Sequence, residues 1–376
     1  MAEKLKGVVY HPRLGTSWEK VERFRALAVW LSEELFPGDK TLAGRVDEAA
    51  RLCKADLTSG MVYEFPELQG LMGQNYAERA GIDHETAQAI SGHYLPIGEG
   101  EEMPEGDAGA IVGLADRMDT LAGMIGLGYV PSGSEDPYAL RRAANAIMRI
   151  LIGRGYRVSL ESFAKKALSP LSDKFKDSAD EAAGRLSGFL RNRAGAYLAR
   201  SGARGDLVEA VLSASGDTGW HDPADAAARL SALEKLAGQA ETFEPLTTTF
   251  KRVSNIIRQS GQSAGGGDFS QKLLEDDSER ALAEAVEGCE GDLGGLLAQV
   301  RDSKGALDET YVKIMDRVTA LRPAVDTFFD DLLVMAEDEK LRKNRLALLA
   351  RVGALFAPVA DFGKIQAAAR GRGRAD

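Results

Sequence analysis

The chain has 376 residues, with 44% hydrophobic and 28% charged content and a formal net charge of −10. That is length enough for two or three domains with sizeable cores. The acidic balance excludes indiscriminate nucleic-acid binding, though a specific RNA site needs only a local basic patch, and the lack of any run of about 18 apolar residues excludes a membrane-spanning helix. The opening MAEKLKGVVYHPRLG lacks the apolar segment of a signal peptide. Two cysteines, Cys53 and Cys289, stand far apart without metal-ligand neighbours, so we expect a reducing, cytoplasmic setting without disulfides. Histidine is scarce, at His11, His84, His93 and His221.

Residues 17–36 predict a helix that starts at Ser17, has Glu19 and Glu22 near its first turn, and carries the stripe Val21, Phe24, Leu27, Ala28 and Leu31. Pro37-Gly38-Asp39 breaks it. Helical spacing resumes over 42–57, where Ala49, Leu52 and Cys53 share a face with Asp56 while Lys54 points elsewhere. Pro66 is placed to open another helix, with Leu68, Leu71, Met72 and Tyr76 as its apolar side. A strongly apolar helix over 111–128 sets Asp119 between Val112 and Ala115 on the wheel.

The early KADL (54–57) and late LADRMDTL (114–121) resemble the HD phosphohydrolase fold. That fold needs a histidine, a His-Asp pair and a distant aspartate to hold a metal that polarises water and phosphate. Here Ala55 stands where the histidine of the pair belongs, and only Asp56 remains. The one literal pair, His221-Asp222, precedes Pro223 in a Gly/Asp-rich loop and reads as an accident. We therefore expect no metal, with Lys54, Asp56 and Asp119 as a structural remnant and the two carboxylates paired to cations such as Lys54 or Arg117.

Residues 131–137, PSGSEDP, form a turn-rich hinge. DPYALRR then predicts a helix with Asp136 as N-cap and Pro137 in its first turn, followed by Arg141, Arg142 and Arg149. Residues 156–240 are helical and receive only a packing role; the amphipathic run 185–202 carries Arg185, Arg191, Arg193 and Arg200. In 247–261, Phe250, Val253, Ile256 and Ile257 form one arc, and Lys251, Asn255 and Arg258 the other, with Arg252 beside them. Cations and an amide on one exposed face suit phosphate contact and base-edge reading, although a plain solvated face has the same composition. GQSAGGGDFS (261–270) is a flexible loop rather than a phosphate cradle, lacking the strand and the Lys-Ser/Thr of one.

Residues 321–366 predict a helical hairpin. Pro323 suits a first helical turn, Phe328, Phe329, Leu332, Leu333 and Met335 supply an apolar side, and Glu337-Asp338-Glu339 favour a second helix start. From Leu341 one arc holds Leu348, Leu349, Val352, Leu355 and Phe356, with Arg345 in its middle and Lys340, Arg342, Lys343 and Arg351 outside it. A guanidinium there must pair, with Asp330, Asp331 or Asp361 as candidates, or face a ligand. The final RGRGRAD reads as a disordered basic tail.

Five stretches together carry a resemblance: CKADLTSGMVYEFPELQGLMGQNYA (53–77), HYLP (93–96), LADRMDTLAGMIGLG (114–128), DPYALRR (136–142) and VMAEDEKLRKNRLALLARVGALFAPVADFGKIQ (334–366). The chain resembles the C-terminal portion of the β subunit of bacterial heterotetrameric glycyl-tRNA synthetase, from LKGVVYHPRLGT onward. The resemblance implies an all-α protein: a degenerate HD-like domain over 1–134, a helical anticodon-binding domain over 135–366 and a basic tail over 367–376. It implies a role in gripping tRNA(Gly) beside an α subunit that activates glycine with ATP and Mg²⁺, with no cofactor on this chain. The missing N-terminal half of β would be supplied elsewhere, because the chain is a fragment or its gene is split. Lys251, Arg252, Asn255, Arg258, Arg342, Lys343 and Arg345 are the expected tRNA contacts, with helix 250–258 and the Arg345 helix lining one groove. A metal phosphohydrolase and a helical scaffold without RNA are the competing readings.

Overall fold

The computed structural model describes residues 1–98, 100, 102–132, 135–215, 219–261, 267–303 and 307–366. The expected basic tail, and the Gly/Ser loop over 262–266, lie outside them. As expected of an all-α protein, strand is confined among the described residues to a short antiparallel ribbon, β1 (Val9–His11) with β2 (Gly15–Thr16). Two compact units divide the chain, Met1–Tyr197 and Leu198–Asp376.

In the first unit α1 (Ser17–Leu35) starts at Ser17, as expected. Thr16 is the N-cap and exchanges hydrogen bonds with Glu19 as a capping box. After α2 (Lys40–Leu52) come the short α3 (Gly60–Glu64), α4 (Leu71–Arg79) and α5 (His84–Gly92). Helix α6 (Asp107–Gly126) is buried along most of its length and packs against α1, α2, α5, α7 (Leu140–Arg154) and α8 (Leu160–Leu168). A helix apolar all round belongs at the centre of a bundle. Its Gly113 is needed for close approach, because a side chain there would meet the His93 carbonyl oxygen at 2.7 Å. The unit closes with α9 (Ala179–Leu198).

Two expectations fail here. Pro66 opens only a 3₁₀ turn, Pro66–Leu68, and α4 starts after Gly70, whose φ of 82° a side chain tolerates poorly. Helix α4 buries Gly73 and Ala77, not the expected apolar stripe, and Leu71 is 59% exposed. The boundary also differs from the one expected at 134–135. Helices α7 and α8 both pack on α6, so their apolar faces complete the first unit's core. Asp136 and Pro137 do not open α7, whose N-cap is Ala139, but the two Asp136 oxygens accept the N–H groups of Leu140 (2.7 Å) and Arg141 (2.9 Å) from outside the helix.

The second unit holds α10 (Gly205–Leu212), α11 (Pro223–Ala237), α12 (Ala240–Ser260), α13 (Asp277–Asp302), α14 (Asp308–Thr319), α15 (Arg322–Asp331) and α16 (Glu339–Phe356). Pro323 sits in the first turn of α15, and Asp338 caps α16 through the N–H groups of Lys340 and Leu341. Helix α15 ends before Leu333 and Met335, which are exposed rather than packed. Phe250, Phe356 and Phe362 cluster where α12 meets α16, with ring centroids 4.8 to 5.4 Å apart. Aromatic contact of this kind adds to simple burial.

Candidate nucleic-acid interface and a buried charge network

In the first unit, Lys54 of the expected metal-site remnant is one of two ammonium groups on Asp116. Helix α2 ends at Leu52, so the helical wheel no longer governs Lys54, and its side chain turns inward. The Lys54 ammonium is 2.8 Å from His93 Nε2, 2.9 Å from Asp116 Oδ2 and 4.0 Å from the centre of the Tyr94 ring. His93 donates from Nδ1 to the Ile90 carbonyl (2.6 Å), which leaves Nε2 as the acceptor for Lys54. Burial and the neighbouring Lys54 charge push the His93 imidazole well below its ordinary value. Lys20 approaches Asp116 from the other side, 2.7 Å from Oδ1, and donates to Thr120 Oγ1 at 2.8 Å. Burial opposes the charge on Asp116, but the two flanking ammonium groups prevail and hold its carboxyl well below the usual range.

The cations expected to serve Asp56 and Asp119 are assigned differently. Asp119 is gripped by Arg23 through two bonds, 2.8 and 3.2 Å, with Lys20 3.3 Å away. Among the described residues Asp56 pairs with no cation: its Oδ2 accepts the N–H groups of Gly70 (2.6 Å) and Gly73 (3.1 Å) and so caps α4. Arg117 donates to the carbonyls of His93, Tyr94, Leu95, Pro96 and Gly113. This donor set does not fit a metal. Asp116 already faces an ammonium on each oxygen, Asp56 Oδ2 is committed to backbone N–H groups, and the free nitrogen of His93 is taken by Lys54. Lys20 and Lys54 thus supply the positive charge that the Asp116 carboxylate requires.

In the second unit, α12 buries Phe250, Val253 and Ile257, and turns the opposite side outward. Lys251 is half-buried and donates to the Ile365 carbonyl at 3.2 Å. The exposed Arg252 lies over Phe329, its guanidinium carbon 4.0 Å from the ring centre. Arg258 donates from Nη2 to Asn255 Oδ1 (2.7 Å), which joins these two into one polar element. Lys251, Arg252, Asn255 and Arg258 therefore share one helix and its solvent side.

The α16 residues do not join them. Arg342 donates to the Ala336 carbonyl (3.0 Å), and Lys343 is exposed and paired with Glu339 (2.7 Å), both in the first turns of α16. Arg345 is 8% exposed; it bonds Glu279 Oε1 at 2.7 Å and the Leu333 carbonyl at 2.8 Å. Its expected part in tRNA contact gives way to a structural one, and its partner is Glu279 of α13 rather than Asp330, Asp331 or Asp361. The α12 side chains and α16 do share a cavity of about 300 Å³, but at the C-terminal end of α16: Ser213, Ser215, Ser254, Ile257, Arg258, Gly353, Phe356, Ala357, Ala360 and Asp361 line it. Of the expected contacts, only Arg258 reaches it.

Sequence reasoning passed over a buried cluster on α11. Arg229, wholly buried, bonds Asp225 Oδ2 (2.7 Å) and the carbonyls of Val211 (2.8 Å), Gly219 (2.6 Å) and Val359 (3.1 Å). Tyr311 donates to the other Asp225 oxygen at 2.6 Å. The i, i+4 spacing of Asp225 and Arg229 was a signal, since it brings the pair together on one helix face. The neighbouring Asp222 caps α11 through the Asp225 N–H (3.0 Å), which gives it a local structural role.

Comparison with known proteins gives a class first. Residues 246–368 match the profile of the DALR anticodon binding domain, a stretch that contains the α12 face, α16 and the cavity's lining apart from Ser213 and Ser215. Residues 1–213 match the profile of the glycyl-tRNA synthetase beta subunit, and the chain belongs to that family. The glycine–tRNA ligase beta subunit of Myxococcus xanthus is 46% identical over 370 residues, covering 97% of this chain and 50% of that protein. Those of Geobacter metallireducens and Geotalea uraniireducens are 44% and 43% identical, with the same shares covered. The chain spans about half the length of the relatives it matches.

Proposed function

We propose that this chain grips tRNA(Gly) as part of a cytoplasmic glycine–tRNA ligase of two α and two β subunits, with phosphate contacts made by the α12 face. The observation that carries this is the alignment of Lys251, Arg252, Asn255 and Arg258 on one solvent-facing side of a helix within the anticodon-binding match. On a chain of net charge −10, such a local basic element suits selective rather than general RNA attachment. Arg342 and Lys343 add cations at the start of α16. Glycine activation, with ATP and Mg²⁺, belongs in this reading to the α subunit, and this chain holds no cofactor. The other half of β and the α subunit are its protein partners; the exposed Met61, Tyr63, Phe65 and Leu71 offer the first unit an apolar surface for such contact.

The test is a titration of tRNA(Gly) with the chain over a range of salt concentrations. Binding should weaken steeply with salt, and Lys251→Ala and Arg252→Ala should each lower the slope by roughly one unit while weakening all RNAs alike. A flat titration at low salt would sink the proposal.

A further inference from the structure

On the reading that this chain is one half of a β subunit, we propose that residues 57–71 of the first unit seat the other half of β, which meets them with an apolar face edged by basic residues. Large apolar side chains cluster there. Tyr63 is 82% exposed and Phe65 51%, and Leu57, Met61 and Leu71 are exposed beside them. Between Leu57 and Leu71 only Ser59, Val62 and Gly70 are buried. A group of apolar side chains this dense on a surface marks a contact site.

The backbone beneath them is fixed at both ends. Asp56 precedes the segment, and its Oδ2 accepts the N–H groups of Gly70 (2.6 Å) and Gly73 (3.1 Å) at the far end. One buried carboxylate thus closes the segment into a loop. Ser59 Oγ donates to the Asp56 carbonyl (2.7 Å) and accepts the Val62 N–H (3.2 Å), which sets the start of α3. Gly70 lies against Tyr94, whose Cδ2 a side chain at position 70 would meet at 2.6 Å. Side chains held out on so constrained a backbone are pre-organised, and little further ordering opposes binding.

Length and charge identify the occupant. The relatives are about twice as long as this chain, and the segment lies within the residues that match the glycyl-tRNA synthetase beta subunit profile. The two halves of such a subunit need a shared apolar surface to act as one body. Glu64 and Glu67 are exposed beside the aromatic rings, and among the described residues neither enters an ion pair. They call for Lys or Arg at the rim of the partner. A second copy of this chain would set these carboxylates against themselves across a two-fold axis, which like charge disfavours.

The experiment co-expresses the full chain with the part of the Myxococcus xanthus beta subunit outside its match to this chain, carried on a solubility tag. Wild type should be retained with that probe through gel filtration. Tyr63→Glu combined with Phe65→Glu should abolish retention, and Glu64→Lys combined with Glu67→Lys should weaken it roughly tenfold. These positions are exposed, so the melting temperature should not move; Leu333→Glu, at an exposed apolar position of the second unit, should retain the probe as wild type does. Full retention by the Tyr63→Glu, Phe65→Glu variant, or none by wild type, overturns the proposal. So does retention of a relative's α subunit in place of the probe with the same sensitivity, or self-association of the chain that this double variant abolishes. A tRNA(Gly) titration of wild type keeps the two readings apart. No tRNA binding with the probe retained sinks the proposed function alone, and tRNA binding without retention of the probe sinks this surface alone.

Discussion

His93 links the buried charge network to pH in a way that can be measured. Its imidazole is 1% exposed, donates to Ile90 and accepts from Lys54, so a second proton has no place to go without expelling an ammonium group. The folded protein holds the ring neutral well below the ordinary value of 6.5, whereas the unfolded chain takes up a proton near that value. More protons then bind to the unfolded state, so stability falls as pH drops through about 6.5. Between pH 7.5 and 5.5 the loss from this one group should be about 1.4 kcal/mol. The assay is urea unfolding across that range for wild type and His93→Gln, which keeps an acceptor for Lys54 but cannot titrate. The other three histidines are common to both proteins, so the difference between the two pH profiles isolates His93. Parallel profiles would show that His93 titrates alike in both states and would refute the assignment of Lys54 to its Nε2.

Arg345→Met should cost about 3–5 kcal/mol in urea unfolding, because it leaves Glu279 buried without its cation, and adding Glu279→Gln should recover part of that; an unchanged midpoint would mean that the pair is open to water. Arg229→Met strands Asp225 and three carbonyls in the core, and a similar loss should appear as a lower melting temperature of the second unit.

Much of this molecule was legible before its structure. Helix starts were readable where their signals are local: Ser17 with Glu19 in α1, Pro323 in α15, and Asp338 ahead of α16. The apolar arcs of α12 and α16 were readable because a helix that packs on one face repeats its buried residues at the helical period. The motifs of 53–77, 114–128 and 334–366 carried the family. Errors came where the regular period stops. Lys54 lies just past the end of α2, and Leu71 begins a helix whose closest contact is made by small residues rather than large ones. The wheel describes neither. Arg345 was rightly marked as a cation in an apolar arc, but its partner lies 66 residues away in α13, beyond any local rule.

The sequence by itself therefore determined that the chain is helical, which family it belongs to, and which faces of its helices are apolar. Those properties rest on short-range geometry and on composition, both of which are written along the chain. The tertiary structure alone decided the long-range pairing of buried charges: Lys54 and Lys20 on Asp116, Arg23 on Asp119 and Arg345 on Glu279. It also decided that Arg258 and Asp361 share a cavity. The physical reason is that a buried charge takes whatever counter-charge the packing of distant helices brings within reach, at an energy large enough to matter only when both have left water.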